Sequence, residues 1–126
     1  MRPKGVLDRE AELEGPALEG LIAQHLRAWV QSQRETHQLA FWRTRTKLEV
    51  DFVVYGPQGF WAIEVQRGKI LSPLDVNGLK AFQDEYPEAQ CCILYTGHHR
   101  TMYRNFLCIP IEEFLLNLKL DSPIVF

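Results

Sequence analysis

"EVDFVVYGPQGFWAIEVQR", residues 49–67, reads as two strands joined by a tight turn. Runs of β-branched and aromatic residues flank Gly56-Pro57-Gln58-Gly59, which is hairpin chemistry. Yet Asp51 sits in the middle of the first run, Glu64 in the middle of the second, and Gln66 two places later. If Tyr55 pairs with Phe60, and Gly56 with Gly59 around a two-residue turn, Asp51 faces Glu64 and Glu49 faces Gln66. Residues directly opposite in an antiparallel pair have Cβ atoms about 4.5–5.5 Å apart, and like charges there repel. Strict alternation sends Val50, Phe52 and Val54, with Val65, Ile63 and Trp61, to one apolar face. It sends Glu49, Asp51, Glu64 and Gln66 to the other face, and Arg67 away from them. An unpaired charge in a half-buried strand is costly. Three compensations are open: a raised carboxyl pKa, a neutralising basic side chain, or a divalent cation, since carboxylates plus water suit Mg²⁺ or Mn²⁺.

Outward from the hairpin, the spacing of Leu18, Leu21, Ile22, Leu26 and Trp29 predicts a helix over 16–34, with Pro16 in its first turn. Glu19 lies at the flank of that apolar stripe, where it can reach a sheet edge or simply snorkel to solvent. His25, in the middle of the stripe, reads as a hydrogen-bonded core histidine. A strand is expected over 37–44. Ser72-Pro73 marks the start of a helix that Leu79, Phe82 and Tyr86 continue. "QCCILYT", 90–96, is a continuous apolar run typical of a strand buried on both faces. A loop is expected over 97–105, then a short strand "FLCIP" and a last helix from Pro110.

The chain has 126 residues and a formal net charge of −2, which fits one domain and argues against a nucleic-acid-coating polycation. The domain is expected over 14–120, between a polar arm, 1–13, and a tail, 121–126. No apolar run approaches the ~20 residues of a membrane span, and the charged start lacks a signal-peptide core. Cys91, Cys92 and Cys108 show no metal spacing and read as buried thiols in a reducing, cytoplasmic compartment. There is no Walker-type glycine loop, so no ATP site is expected. Arg43, Arg45 and Lys47 alternate in "WRTRTK"; with Lys69 they could line a phosphate track, or only blunt a strand edge. "GHHR", 97–100, is a weaker phosphate candidate.

The acid, the spacing to Glu-x-x, and the Glu on the preceding helix resemble the PD-(D/E)XK nuclease superfamily. More closely, "GPALEGLIAQHL", "FWRTRTKLEVDFVVY", "WAIEVQRG" and "LKAFQDEYPEAQCCILYTG", in that order, resemble the C-terminal nuclease-like domain, a domain of unknown function, of prokaryotic AAA-type ATPases. The likeness covers about residues 15–118. It implies an α/β restriction-endonuclease-like fold: a helix-β-β-β-helix-β core with a mixed sheet of about four or five strands flanked by helices. It implies Asp51 and Glu64 as metal residues, with Glu19, Asp51, Glu64 and Gln66 as the catalytic set and Mg²⁺ or Mn²⁺ as cofactor. One departure is plain. The superfamily Lys falls on Gln66, which keeps a hydrogen-bond donor but no charge. Lys47 and Lys69 are the candidates for a displaced ammonium. Two functions follow: a Mg²⁺-dependent phosphodiesterase acting on DNA, or a nuclease fold retained to bind or regulate an AAA-type ATPase. In relatives the ATPase lies N-terminal to this segment, so a stand-alone remnant or a separated part is expected here.

Overall fold

Strong helix formers over Glu10–Glu14 carry the first helix back past Pro16, so α1 spans Glu10–Ser32. The structure, a computed structural model, describes residues 10–126, with side chains from Ala17 onward. The arm expected over 1–13 falls largely outside the described residues. Ile22, Leu26 and Trp29 of α1 are fully buried, but Leu21 is 40% exposed, so the apolar stripe is narrower than its sequence spacing. His25 is half-buried rather than in the core, its Nδ1 paired with the Leu21 carbonyl one turn back at 2.9 Å.

Six strands follow: β1 Gln38–Arg43, β2 Glu49–Gly56, β3 Gly59–Val65, β4 Gln90–Tyr95, β5 Thr101–Tyr103 and β6 Phe106–Pro110. A short 3-10 turn, Pro73–Asp75, leads into α2, Asn77–Glu85, and α3 covers Ile111–Asn117. The sheet is mixed and open, in the order β1-β2-β3-β4-β6-β5. β1, β2 and β3 run antiparallel, β3, β4 and β6 parallel, and β5 returns antiparallel to β6. Helices flank both faces. Ile22, Leu26, Trp29, Val54, Trp61, Ile63 and Phe114 pack on one side, with α1 and α3. Val53, Ala62, Leu79, Phe82 and Ile93 pack on the other, under α2. This is the α/β class the sequence implies, and it differs from the expectation of one dry face and one polar face. Both faces of the central strands are core.

The β2–β3 register follows the turn: Gly56 pairs with Gly59, Tyr55 with Phe60 and Phe52 with Ile63. Against β1, however, β2 carries a β-bulge. Ala40 pairs with Val53, but Trp42 pairs with Val50, three steps on one strand against two on the other. The extra residue turns Val50 over, so it joins Val53 under α2 instead of sharing a face with Phe52 and Val54. α2 then lies very close to β2. A Cβ on Gly78 would stand 1.8 Å from the Glu49 carbonyl oxygen, so only glycine fits there.

Two further features escape the sequence pattern. The expected loop 97–105 contains β5, joined to β6 through Arg104 (φ 50°) and Asn105 (φ 71°), the left-handed pair of a two-residue hairpin. The segment 121–126 docks on the α1–α3 side. Ile124 is buried, the Phe126 and Phe114 rings lie 6.3 Å apart, and Trp29 Nε1 donates to the Ser122 carbonyl at 2.7 Å. Cys92 and Cys108 are buried and Cys91 half-buried, all as free thiols. Burial pushes the Cys91 thiol up to about 11, so it carries little thiolate at neutral pH.

Candidate functional site

The β2–β3 ladder stops at Phe52↔Ile63. Below that pair the bulge draws β2 aside, and two carboxylates take over the role of the missing ladder bonds. The Asp51 amide donates to Glu64 Oε1 at 3.0 Å. The Val65 amide donates to Asp51 Oδ2 at 2.9 Å. Each acid therefore satisfies a main-chain donor of the opposite strand, which buried amides require. Glu64 is 1% exposed, and the Asp51 side chain 14%.

Arg67 closes the site. β3 ends at Val65, so alternation no longer governs the next residues, and the Arg67 side chain turns back to the acids. Its Nε and Nη2 donate to Glu64 Oε2 at 3.2 and 3.0 Å, and Nη2 lies 3.9 Å from Asp51 Oδ1. This overturns the expectation that Arg67 faces away. The turn is held by Asp75, a fully buried carboxylate that the sequence reading missed. Asp75 accepts from the Arg67 amide through Oδ1 and from the Ser72 amide through Oδ2, both at 2.9 Å. Its signal was present as Ser72-x-x-Asp75, a capping-box spacing.

Burial pushes the Glu64 carboxyl up to about 9, the Asp51 charge adds to the rise, and Arg67 opposes it. Burial and the Asp51 charge thus favour the protonated carboxyl, while the guanidinium favours the ionised one and balances the charge of the pair. Two of the three compensations open from the sequence act together. Glu19, on the exposed flank of α1, feels the same cluster. Partial burial and then Asp51 push its carboxyl up, Arg67 pulls it down, and Glu49 adds a smaller rise.

Gln66 does not join the acids. Its Oε1 accepts from the Thr96 amide at 3.0 Å and from Thr96 Oγ1 at 3.1 Å, while its own amide donates to the Leu94 carbonyl at 2.8 Å. That ties it to the C-terminal end of β4. Thr96 there lines a cleft of about 450 Å³ shared with His98, Pro110 and Glu113. Glu49 does not face Gln66 but meets Arg43, whose Nη2 donates to Glu49 Oε1 at 3.3 Å. Arg45 and Lys47 are exposed on the β1–β2 turn and Lys69 on the loop after β3. In the loop after β4, Arg100 is engaged by Glu113 at 2.6 Å.

A divalent ion needs deprotonated, unencumbered oxygens. Here Glu64 Oε1 accepts from the Asp51 amide and Oε2 accepts twice from Arg67. The residues in this arrangement do not fit the metal that the resemblance implies. Among the described residues, no group of three or more His, Cys, Asp or Glu is placed to hold a metal ion. Among them, too, no helix is long and apolar enough to cross a membrane.

A family model described as Domain of unknown function (DUF4143) matches residues 14–114. The chain belongs to the DUF4143 family. The DUF4143 match takes in α1, the three antiparallel strands, α2 and the parallel strands, and so the whole acid–arginine cluster. No curated protein and no solved structure matches the chain.

Proposed function

We propose that this DUF4143 domain is a nuclease-like module of the PD-(D/E)XK type, kept to bind or regulate an AAA-type ATPase, and that it does not cleave DNA. The fold side of this reading is supported by the element order, with acids at the open end of an antiparallel hairpin and a helical crossover to a parallel strand. One observation carries the functional side. The Arg67 guanidinium lies between Glu64 and Asp51, where the resemblance implies a metal ion. Gln66, at the superfamily Lys position, is committed to Thr96. A second reading, a Mg²⁺-dependent phosphodiesterase on DNA, is favoured by the charge coupling of Glu19 to Asp51. In that reading Arg67 has to leave the acids first.

The test is a divalent-metal titration joined to a cleavage assay. With excess Mn²⁺ or Mg²⁺ the melting temperature of the parent protein is expected to stay unchanged. Linear, nicked and single-stranded DNA and RNA are expected to remain intact. A ligand at 100 times its dissociation constant adds about 2.7 kcal/mol, so a useful metal site could not escape notice. Metal-dependent cleavage that Asp51→Asn abolishes would overturn the proposal. The regulatory part is tested by adding the domain to a purified AAA-type ATPase of the same cell. An unchanged rate of ATP hydrolysis, with no complex on gel filtration, removes that role.

A further inference from the structure

At the turn end of the β2–β3 hairpin, the end away from the acid–arginine cluster, the α2 face of the sheet opens into a groove of about 510 Å³. Aromatic rings wall it: Trp42 of β1, Tyr55 of β2, Phe60 of β3, Phe82 of α2 and Tyr86 just past the end of α2. Phe82 is buried at the floor, Trp42, Phe60 and Tyr86 are half-buried, and Tyr55 is exposed. The rings do not lie in one plane. Trp42 and Phe60 stand at 83° and 84° to the Phe82 ring, with centroids 5.2 and 5.6 Å from it. Tyr86 is tilted 40° from the same ring at 4.8 Å. Ala40 pairs with Val53 and so shares its face; its single methyl leaves the groove open at the sheet edge.

Charge is one-sided there. Among the described residues Glu88 is the one charged member of the lining, and it is exposed. Glu85, the last residue of α2, adds to the field. The Glu85 charge first, then burial, a hydrogen bond to Glu85 and the Glu88 charge push the Tyr86 phenol up. Acids at the rim and the negative faces of aromatic rings attract the same kind of ligand, a cation. The walls offer few acceptors, so an ammonium with three N–H donors would leave donors unpaired against them. A methylated ammonium has no such debt. We propose that this groove binds a small organic cation with a quaternary ammonium head, held against the rings by cation–π attraction with Glu88 as the counter-charge at the mouth. The volume lies within the roughly 300–1,000 Å³ of small-molecule sites. The groove is separate from the acid–arginine cluster, so its occupancy needs neither metal nor nucleic acid.

The experiment is an NMR titration of the full chain with choline at low ionic strength, followed at the Trp42 indole N–H, with circular dichroism to confirm folding of each variant. The control ligand is the neutral carbon isostere of choline, a dimethylbutanol with carbon in place of the nitrogen. Choline is expected to bind with a dissociation constant on the order of 1 mM or below, about tenfold tighter than the isostere. Glu88→Lys, at an exposed position, is expected to weaken choline about fivefold and to leave the isostere unchanged. Ala40→Phe, also at an exposed position, fills the mouth and is expected to weaken both ligands about tenfold or more. No saturable shift with choline up to about 10 mM overturns the proposal. An isostere that binds as tightly as choline overturns it too, since the groove is then merely apolar. Choline affinity untouched by Ala40→Phe places the cation elsewhere, and affinity untouched by Glu88→Lys removes the counter-charge; either result sinks the proposal.

Discussion

Replacing Arg67 with Ala isolates the cation that stands between the two acids. Loss of one partner from a fully buried ion pair costs about 3–5 kcal/mol. Arg67 keeps 40% of its side chain exposed while Glu64 keeps 1%, so solvent screens part of that. Near pH 7 the protonated Glu64 loses only hydrogen bonds from Arg67, and we expect about 1–2 kcal/mol. The pH dependence is the sharper signature. The Glu64 carboxyl rises in the folded state from its ordinary 4.5 to about 9. Between those values the native state binds more protons than the unfolded one, so stability falls as pH rises through that window and levels off above it. Without Arg67, which lowers this pKa, the folded value moves higher and the decline continues past 9. The gap between parent and variant should then widen by up to about 1.4 kcal/mol per pH unit. Urea melts from pH 6 to 10 measure this. A gap already above ~4 kcal/mol at pH 7 and independent of pH would refute the reasoning, because Glu64 would then be ionised and leaning on Arg67 throughout. A gap of zero at every pH would mean that the pair contributes nothing.

Three further outcomes are expected. Glu64→Gln should remove most of the stability decline between pH 4.5 and 9, at the cost of facing an amide toward the guanidinium; a pH profile parallel to the parent's would assign the slope to other groups. Gly78→Ala drives a methyl into the Glu49 carbonyl and should cost at least about 1–3 kcal/mol in chemical denaturation; a neutral result would show that α2 can move off β2 freely. Gln66→Lys removes the acceptor of the Thr96 amide and hydroxyl and should lower stability by about 1 kcal/mol without producing DNA cleavage. Cleavage gained on that change, with Mg²⁺ added, would favour the phosphodiesterase reading.

The hairpin register was legible because a two-residue turn between Gly56 and Gly59 fixes it by local chemistry alone. The face of Val50 was not, because a β-bulge depends on the neighbouring strand and leaves no mark on its own. Arg67 was misplaced for a related reason. Alternation was carried past Val65, where β3 ends, and the turn there depends on Asp75 from eight residues on. The β5–β6 hairpin was hidden by its turn residues, Arg104-Asn105, which lack the glycine that usually announces a left-handed pair. Glu19, Asp51 and Glu64 were found as candidates, since acids amid apolar runs are conspicuous. Their compensating cation was not, since any of several basic side chains could have served.

The exchange of main-chain bonds between Asp51 and Glu64 has a consequence for how such chains change over time. Were all demand for chemistry at these positions to vanish, replacing either acid with an apolar residue would still strand a buried amide, at about 1–3 kcal/mol each. The fold itself therefore resists their loss, whereas nothing comparable ties a lysine to position 66, where glutamine finds its own bonds. Intact acids at positions 51 and 64 therefore report on the main chain that they hold together, and their presence is by itself no measure of chemistry at the site.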